Sequence, residues 1–336
     1  MKVFRGFKHS GLTPSCALTI GNFDGVHRGH QAMLALLKSE AAQRGISSCV
    51  LTFEPHPRDY FAAVAGRQQL APARIGTLRD KLTALAHCGV DQTVVLRFDA
   101  RLAAQSPDSF VDAVLVRGLG ARYVLVGDDF RFGAKRAGDY AMLDAAGDQK
   151  GFDVARMNSY EVHGLRVSSS AVRAALAEGR MEDATRLLGR AYRISGHVVH
   201  GRKLGRDLGF RTLNLRFAHW KPAASGIFVV LVYGLTTVPL PGVANLGIRP
   251  SLDPGDVNGG RVLLETHCLE WPADLGLEAG YGKIIRVELL HKLHGELKYD
   301  GLDALQHGIT RDCNGARAYF AALHTETHRQ TTRDRI

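Results

Sequence analysis

Thr19-Ile20-Gly21-Asn22-Phe23-Asp24-Gly25-Val26-His27-Arg28-Gly29-His30 is the stretch on which the reading of this chain turns. The apolar run of Ala17, Leu18 and Ile20 stops at Gly21, as a buried strand does on leaving a sheet. A helix is predicted from near His30, because Met33, Leu34, Leu36, Leu37 and Ala41 recur at helical spacing and Gly45 closes the pattern. A second apolar run follows from Cys49 to Phe53. Strand, loop, helix and strand in that order imply parallel strands joined by a right-handed crossover.

The loop carries candidate chemistry. Gly21, Gly25 and Gly29 keep side chains off a turn that a ligand can approach closely. With Asn22, Phe23 and Asp24 the first two form a candidate phosphate-binding loop ahead of a helix N-terminus, whose free N–H groups and positive dipole end favour anions. His27 and His30, three apart, can both address one anion and are candidate catalytic groups for charge developing on a phosphate oxygen. The stretch resembles the His-x-Gly-His signature of the nucleotidylyltransferase superfamily. The longer string from Gly21 to His30 looks like the form found in bacterial bifunctional riboflavin kinase/FAD synthetases.

The chain has 336 residues, more than one core usually organises, so two domains are expected, 1–188 and 189–336. Apolar and charged content are ordinary for a globular protein, and no apolar run reaches membrane-spanning length. The N-terminal residues lack an apolar core ahead of a small-residue cleavage site, so a cytoplasmic protein is expected. Five scattered cysteines without a Cys-x-x-Cys pair argue against structural zinc or a disulfide framework and fit a reducing compartment. The net charge of +10 raises nucleic acid as a partner, but it is evenly spread: 24 Lys/Arg against 19 Asp/Glu up to Leu188, and 19 against 14 beyond. A nucleic-acid domain would concentrate it. Small anionic ligands are the expected partners, with no nucleic acid and no membrane; self-association is left open.

Beyond Phe53, the segment Glu54-Pro55-His56-Pro57-Arg58 reads as a rigid loop without regular structure, at the strand end where open parallel sheets bind ligands. Helix and strand then alternate over Thr77–His87, Gln92–Phe98, Pro107–Arg117 and Arg122–Gly127, which makes an α/β domain with a parallel sheet. Gly127-Asp128-Asp129-Phe130-Arg131-Phe132-Gly133 leaves the same sheet edge, and Asp129 and Phe130 are candidates to hold a flat ring and a sugar-like hydroxyl. Ser168-Ser169-Ser170-Ala171-Val172-Arg173 opens a helix. Its hydroxyls serve as caps or, with Arg173 one turn along, hold a polyphosphate. It resembles the superfamily's second signature, Ile-Ser-Ser-Thr-x-x-Arg, with Val167 and Ser170 as departures.

After Leu188-Gly189, short β-type runs take over: Tyr192–Val199, Leu213–Phe217, Ile227–Tyr233, Val262–Leu269 and Ile284–Leu290. Gly/Pro-rich turns between them predict a small antiparallel β-barrel. A terminal helix over Leu302–Leu323 would pack Leu302, Leu305, Ile309, Ala316, Tyr319 and Phe320 on it. The basic loop from Gly201 through Gly205, Arg206 and Gly209 can fold over phosphates. Thr212 and Asn214 carry oxygens on one side of an extended segment and can take a hydrated Mg²⁺. Glu265 is an acid in an otherwise apolar strand: a base, or an outward-facing strand residue.

In order and type these pieces, with Gly242-Val243-Ala244-Asn245-Leu246-Gly247-Ile248-Arg249-Pro250, resemble the riboflavin kinase module. Arg211 stands where the family has Pro, which removes a φ restraint ahead of Thr212 and puts a positive side chain beside the proposed metal site. The resemblance implies two reactions. In one, ATP phosphorylates riboflavin, with Glu265 as base and Mg²⁺ at Thr212 and Asn214. In the other, FMN takes AMP from ATP to give FAD and pyrophosphate at His27, His30 and Arg173. No Gly-x-x-x-x-Gly-Lys-Ser/Thr string occurs, so a P-loop kinase is excluded. The alternatives are another adenylyltransferase, acting on pantetheine phosphate or nicotinamide mononucleotide, and a nucleic-acid-binding barrel.

Overall fold

The computed structural model describes all residues except 159, 163–164, 201–208, 218, 220, 249–261, 277 and 334–336. By compactness the chain divides into two units, Met1–Pro72 with Lys81–Ala171, and Ala73–Asp80 with Val172–Ile336.

The first unit is built on β1 (Lys2–Arg5), β2 (Cys16–Ile20), β3 (Ser47–Glu54), β4 (Gln92–Arg97), β5 (Ala121–Gly127) and β6 (Asp153–Met157), in the sheet order β1-β4-β3-β2-β5-β6. Every pairing in it is parallel. Strand β2 is buried along its whole length, because helices cover both faces of the sheet. Against one face pack Leu34, Leu37 and Ala41 of α1 (Arg28–Gln43), and against it too, beyond α2 (Pro57–Val64), Ala84 and Leu85 of α3 (Leu78–His87). Beyond α4 (Ala100–Ala103), the other face receives Phe110 of α5 (Pro107–Phe110), Val111, Val114 and Leu115 of the π-helical turn Val111–Val116, and Leu143 and Ala146 of α6 (Tyr140–Lys150). The strand order reverses beside β2, with β3 on one side and β5 on the other. The crevice beyond their carboxyl ends is the ligand-binding position of such sheets.

A short hairpin, β7 (Glu161–Val162) with β8 (Leu165–Arg166), precedes α7 (Ser169–Ala177) and α8 (Met181–Leu188). The second unit closes β9 (Tyr192–Val199), β10 (Leu213–Arg216), β11 (Gly226–Tyr233), β12 (Leu240–Ile248), β13 (Val262–Cys268) and β14 (Ile284–His294) into an antiparallel barrel, ordered β10-β13-β12-β11-β14-β9. Helix α9 (Leu302–Arg333) lays Cys313, Ala316, Ile309, Tyr319 and Phe320 against the outer face at Val229 and Val243.

The expected α/β sheet and small barrel with a terminal helix are both present. Three local expectations are corrected. Pro57 does not forbid regular structure but starts α2, with His56 as its N-cap, since a first-turn proline sacrifices no helical hydrogen bond. The helix expected from Pro107 passes into a π turn at Val111. Leu302 is exposed rather than packed, because it is the first residue of α9 and precedes the face that meets the barrel.

Gly120 sets how closely β5 approaches β2. Its φ is +58°, and a Cβ there would lie 2.0 Å from the Pro14 carbonyl oxygen. The Gly120→Ala variant is expected to lower the first thermal unfolding midpoint, through at least about 1–2 kcal/mol of left-handed strain plus the clash. An unchanged midpoint in differential scanning calorimetry would contradict this placement.

Candidate active sites

In the first unit the chain must pass from the buried end of β2 to the start of α1 within one tight loop. Gly21 N–H donates to the Leu51 carbonyl (3.1 Å), and Phe23 and Val26 take left-handed φ values of +47° and +41°. Such a conformation is strained for a β-branched residue and is found mostly where a site over-determines the backbone. The loop carbonyls are tied to other elements: Asn22 accepts from Thr52 Oγ1 (3.3 Å), Asp24 from Ser169 Oγ (3.1 Å) and Val26 from Gln31 Nε2 (2.9 Å). The bond from Ser169 to Asp24 joins the two motifs that the sequence keeps 145 residues apart. Ser168 caps α7 by accepting from Ala171 N–H (3.1 Å).

His27 is the N-cap of α1, its Nδ1 accepting from His30 N–H (3.3 Å). The two imidazoles stack with centroids 3.6 Å apart and planes 16° from parallel, and the Phe23 ring lies 4.9 Å from that of His30. A side chain at position 29 would meet the His27 ring at 3.3 Å and the Val167 carbonyl at 3.5 Å, so the intervening glycine permits the stack. Burial first, then the charges of His27 and Lys81, hold His30 well below the usual histidine range. Its Nδ1 is buried with no hydrogen-bond partner among the described residues. His30 is therefore a neutral imidazole at pH 7, a hydrogen-bond donor rather than a cation.

Sequence reasoning gave no role to Lys81 or Thr52. Lys81 is 4% exposed and its Nζ donates to Thr52 Oγ1 at 3.3 Å. Lys81 shares the buried stripe of α3 with Ala84 and Leu85, a placement that only the packing of α3 on the sheet shows. Asp129 and Phe130 follow β5, the neighbour of β2, so they leave the same edge of the sheet as the histidine loop. Asp129 is exposed, while Phe130 stacks on buried Phe132 (5.4 Å, 19°) and packs on the core. Arg173 lies in the second unit, where its Nε donates to the Ala73 carbonyl at 2.7 Å.

The second unit has its own polar site. In the barrel register Glu265 of β13 stands opposite Asn214 of β10 on one side and Asn245 of β12 on the other, a row of three on one face. Val243 lies two residues from Asn245 on β12 and packs under α9, so this is the outer face. Asn214 is 3% exposed and donates through Nδ2 to the Thr212 carbonyl (3.4 Å). The Oδ1 atoms of Asn214 and Asn245 are buried and accept no hydrogen bond among the described residues. Orphaned acceptors beside a carboxylate suit a hard cation, which takes oxygens and keeps several waters; of the two residues expected to hold Mg²⁺ this bears on Asn214, whereas Thr212 is placed only through its carbonyl. Asn245 was missed as a site residue because its turn-rich sequence hides β12.

His267, two residues beyond Glu265, donates through Nδ1 to the Arg211 carbonyl (2.8 Å) and meets Phe210 edge-on. That bond fixes the backbone ahead of Thr212, where the family's proline ring is absent. The Arg211 side chain is exposed. Burial foremost lowers the His267 pKa. Gly209 is exposed in a turn, whereas Gly201, Gly205 and Arg206 fall outside the described residues.

A family model described as FAD synthetase matches residues 10–171, and one described as riboflavin kinase matches residues 188–320. The bifunctional riboflavin kinase/FMN adenylyltransferase of Escherichia coli strain K12 is 44% identical over 322 residues, 95% of this chain and 98% of that protein. The chain belongs to the bifunctional riboflavin kinase/FMN adenylyltransferase family. The member from Pseudomonas fluorescens is likewise 44% identical, over 96% of this chain and 98% of its own length. A crystal structure titled as a macrolide-efflux protein from Streptococcus pneumoniae shares the fold, with a TM-score of 0.71 and 25% identity over 94% of this chain and 98% of that one. Among the described residues, no helix is long and apolar enough to cross a membrane.

The state of His30 gives the histidine loop of this family member a pH signature. Its folded pKa lies below the unfolded value of about 6.5, so the unfolded chain binds the extra proton and stability falls as pH drops below that value. His30→Gln is expected to flatten part of the loss of melting temperature between about pH 7 and pH 5. An unchanged slope in calorimetry, or a His30 ring titrating at an ordinary pH by NMR, would contradict a neutral His30.

Proposed function

We propose that this chain makes FAD from riboflavin in two ATP-dependent steps, the second unit supplying FMN and the first converting it. The observation that carries the reading is the pair of separate polar sites: Glu265 between Asn214 and Asn245 in the second unit, and the His27–His30 stack at the head of α1 in the first. The functional boundary falls at 188/189, leaving an FMN adenylyltransferase domain and a riboflavin kinase domain.

Phosphorylation of riboflavin needs a base, because a ribityl hydroxyl is a poor nucleophile at neutral pH. Glu265 accepts its proton. Asn214 and Asn245 flank that carboxylate in the barrel register and orient the groups around it. Mg²⁺ held by Thr212 and Asn214 would offset the negative charge of the triphosphate. The basic, glycine-rich stretch with Gly201, Gly205, Arg206 and Gly209 is assigned to phosphate binding from its sequence.

Adenylyl transfer needs no base. The phosphomonoester of FMN is already anionic, with a second pKa of about 6. Its oxygen attacks the innermost phosphorus of ATP and pyrophosphate leaves. What the site must supply is alignment and relief of charge repulsion. The Gly21–Gly25 loop and the start of α1 present backbone N–H groups to the phosphates, and His27 and His30 donate to the oxygens that gain charge. Ser168, Ser169 and Arg173 engage the polyphosphate, while Asp129 and Phe130 hold the flavin. The substrates are small molecules, the compartment is the cytoplasm, and the evenly distributed positive charge serves anionic ligands rather than nucleic acid.

The test is a pair of variants read by chromatography of flavins. With riboflavin and Mg·ATP, His27→Ala/His30→Ala is expected to accumulate FMN without FAD. Glu265→Ala should slow riboflavin phosphorylation about 100- to 10,000-fold yet convert added FMN to FAD at the wild-type rate. Loss of both products in the histidine variant, with its fold intact by circular dichroism, would refute the two-site assignment. Chelation of divalent metal is expected to stop both steps, and a kinase rate unaffected by excess EDTA would remove Mg²⁺ from the account.

A further inference from the structure

A lysine in the buried stripe of a helix is unusual, because ammonium groups are seldom withdrawn from water without a task. Lys81 is such a residue. It sits near the start of α3, in line with Ala84 and Leu85, which pack on the sheet. Its Nζ donates to Thr52 Oγ1 (3.3 Å), and that hydroxyl donates in turn to the Asn22 carbonyl of the histidine loop (3.3 Å). Thr52 itself is fully buried near the carboxyl end of β3. One threonine thus connects a positive side chain to the loop at the sheet edge where ligands bind.

We propose that Lys81 is a phosphate-binding residue of the first site, a fixed positive charge that Thr52 holds beside the Gly21–His30 loop. The inference rests on the assignment of adenylyl transfer to the first unit. That reaction brings together two phosphate-bearing reactants, and its transition state concentrates their charge. The histidine stack cannot answer that charge alone. Burial foremost, then His27 at the head of its own helix and Lys81 on α3, keep His30 neutral, with the Phe23 ring packed beside it. A lysine is ordinarily cationic at neutral pH. In this arrangement it carries the charge while the imidazoles give directed hydrogen bonds. The phosphate it holds belongs either to ATP or to FMN, and the two are separable kinetically.

FAD formation from FMN and Mg·ATP is measured on the full chain for the wild type, Lys81→Met, Lys81→Arg and Thr52→Val, varying each substrate separately. Lys81→Met, close in volume and uncharged, is expected to raise one KM by about tenfold or more, the loss of a charge-assisted hydrogen bond. A rise confined to ATP assigns the triphosphate, and one confined to FMN assigns the monoester. Lys81→Arg should recover part of the affinity, and the His30 ring should titrate at higher pH in Lys81→Met. Riboflavin phosphorylation in the same preparations should be unchanged. If Lys81→Met loses both activities through misfolding, Thr52→Val, which leaves the charge and removes its anchor, decides by the same criterion. Unchanged KM values for both substrates overturn the inference. Absence of FAD from the wild type would instead overturn the functional reading beneath it.

Discussion

The passage of a fully buried parallel strand into a helix at Gly21–His27 is the constraint from which the rest of the first unit follows. A turn that leaves a buried strand has few solvent partners for its backbone, and three of its carbonyls are satisfied by side chains instead. Thr52, Ser169 and Gln31 provide them, from β3, from α7 and from α1. The same loop holds Phe23 and Val26 in left-handed backbone and leads into the stack of His27 on His30. The conformation that closes the turn is also the one that the proposed phosphate site uses.

The barrel solves a different problem with different means. Its outer face should be apolar where α9 covers it, and at Val229 and Val243 it is. Along the same strands, however, Asn214, Glu265 and Asn245 form a polar row whose buried amide oxygens lack partners among the described residues. Unsatisfied acceptors are costly, and a row of them beside a carboxylate makes sense as a site awaiting a cation and a hydroxyl. On the proposed reading two chemistries are thereby kept apart: proton removal where a carboxylate is placed, and hydrogen-bond donation where the nucleophile is already ionised.

Sequence periodicity carried the architecture, and strand β9 ends where its alternation ends, at Tyr192 and Val199. It failed where composition hides geometry. Strand β12 contains Pro241, Gly242 and Gly247, which read as turns, yet it lies between β11 and β13, its register fixed by both neighbours. That tertiary override concealed Asn245. The histidine motif was legible because its spacing is local. Lys81 and Thr52 were not, because their meaning depends on the lateral order of strands and helices, and single-residue polarity in an apolar run has several structural uses. Arg211 shows the converse: the loss of a proline restraint is visible in sequence, while its replacement by the His267 bond to the same backbone is visible only in three dimensions.

The central claim is that one polypeptide steers attack on the outermost phosphorus of ATP in one unit and on the innermost in the other. The most direct measurement is a time course of flavin and phosphate products from the purified chain given riboflavin and excess Mg·ATP. The account predicts that FMN rises first with one ADP per flavin, and that FAD then appears with one pyrophosphate each. FMN accumulating without any FAD or pyrophosphate, or neither flavin product forming, would contradict it.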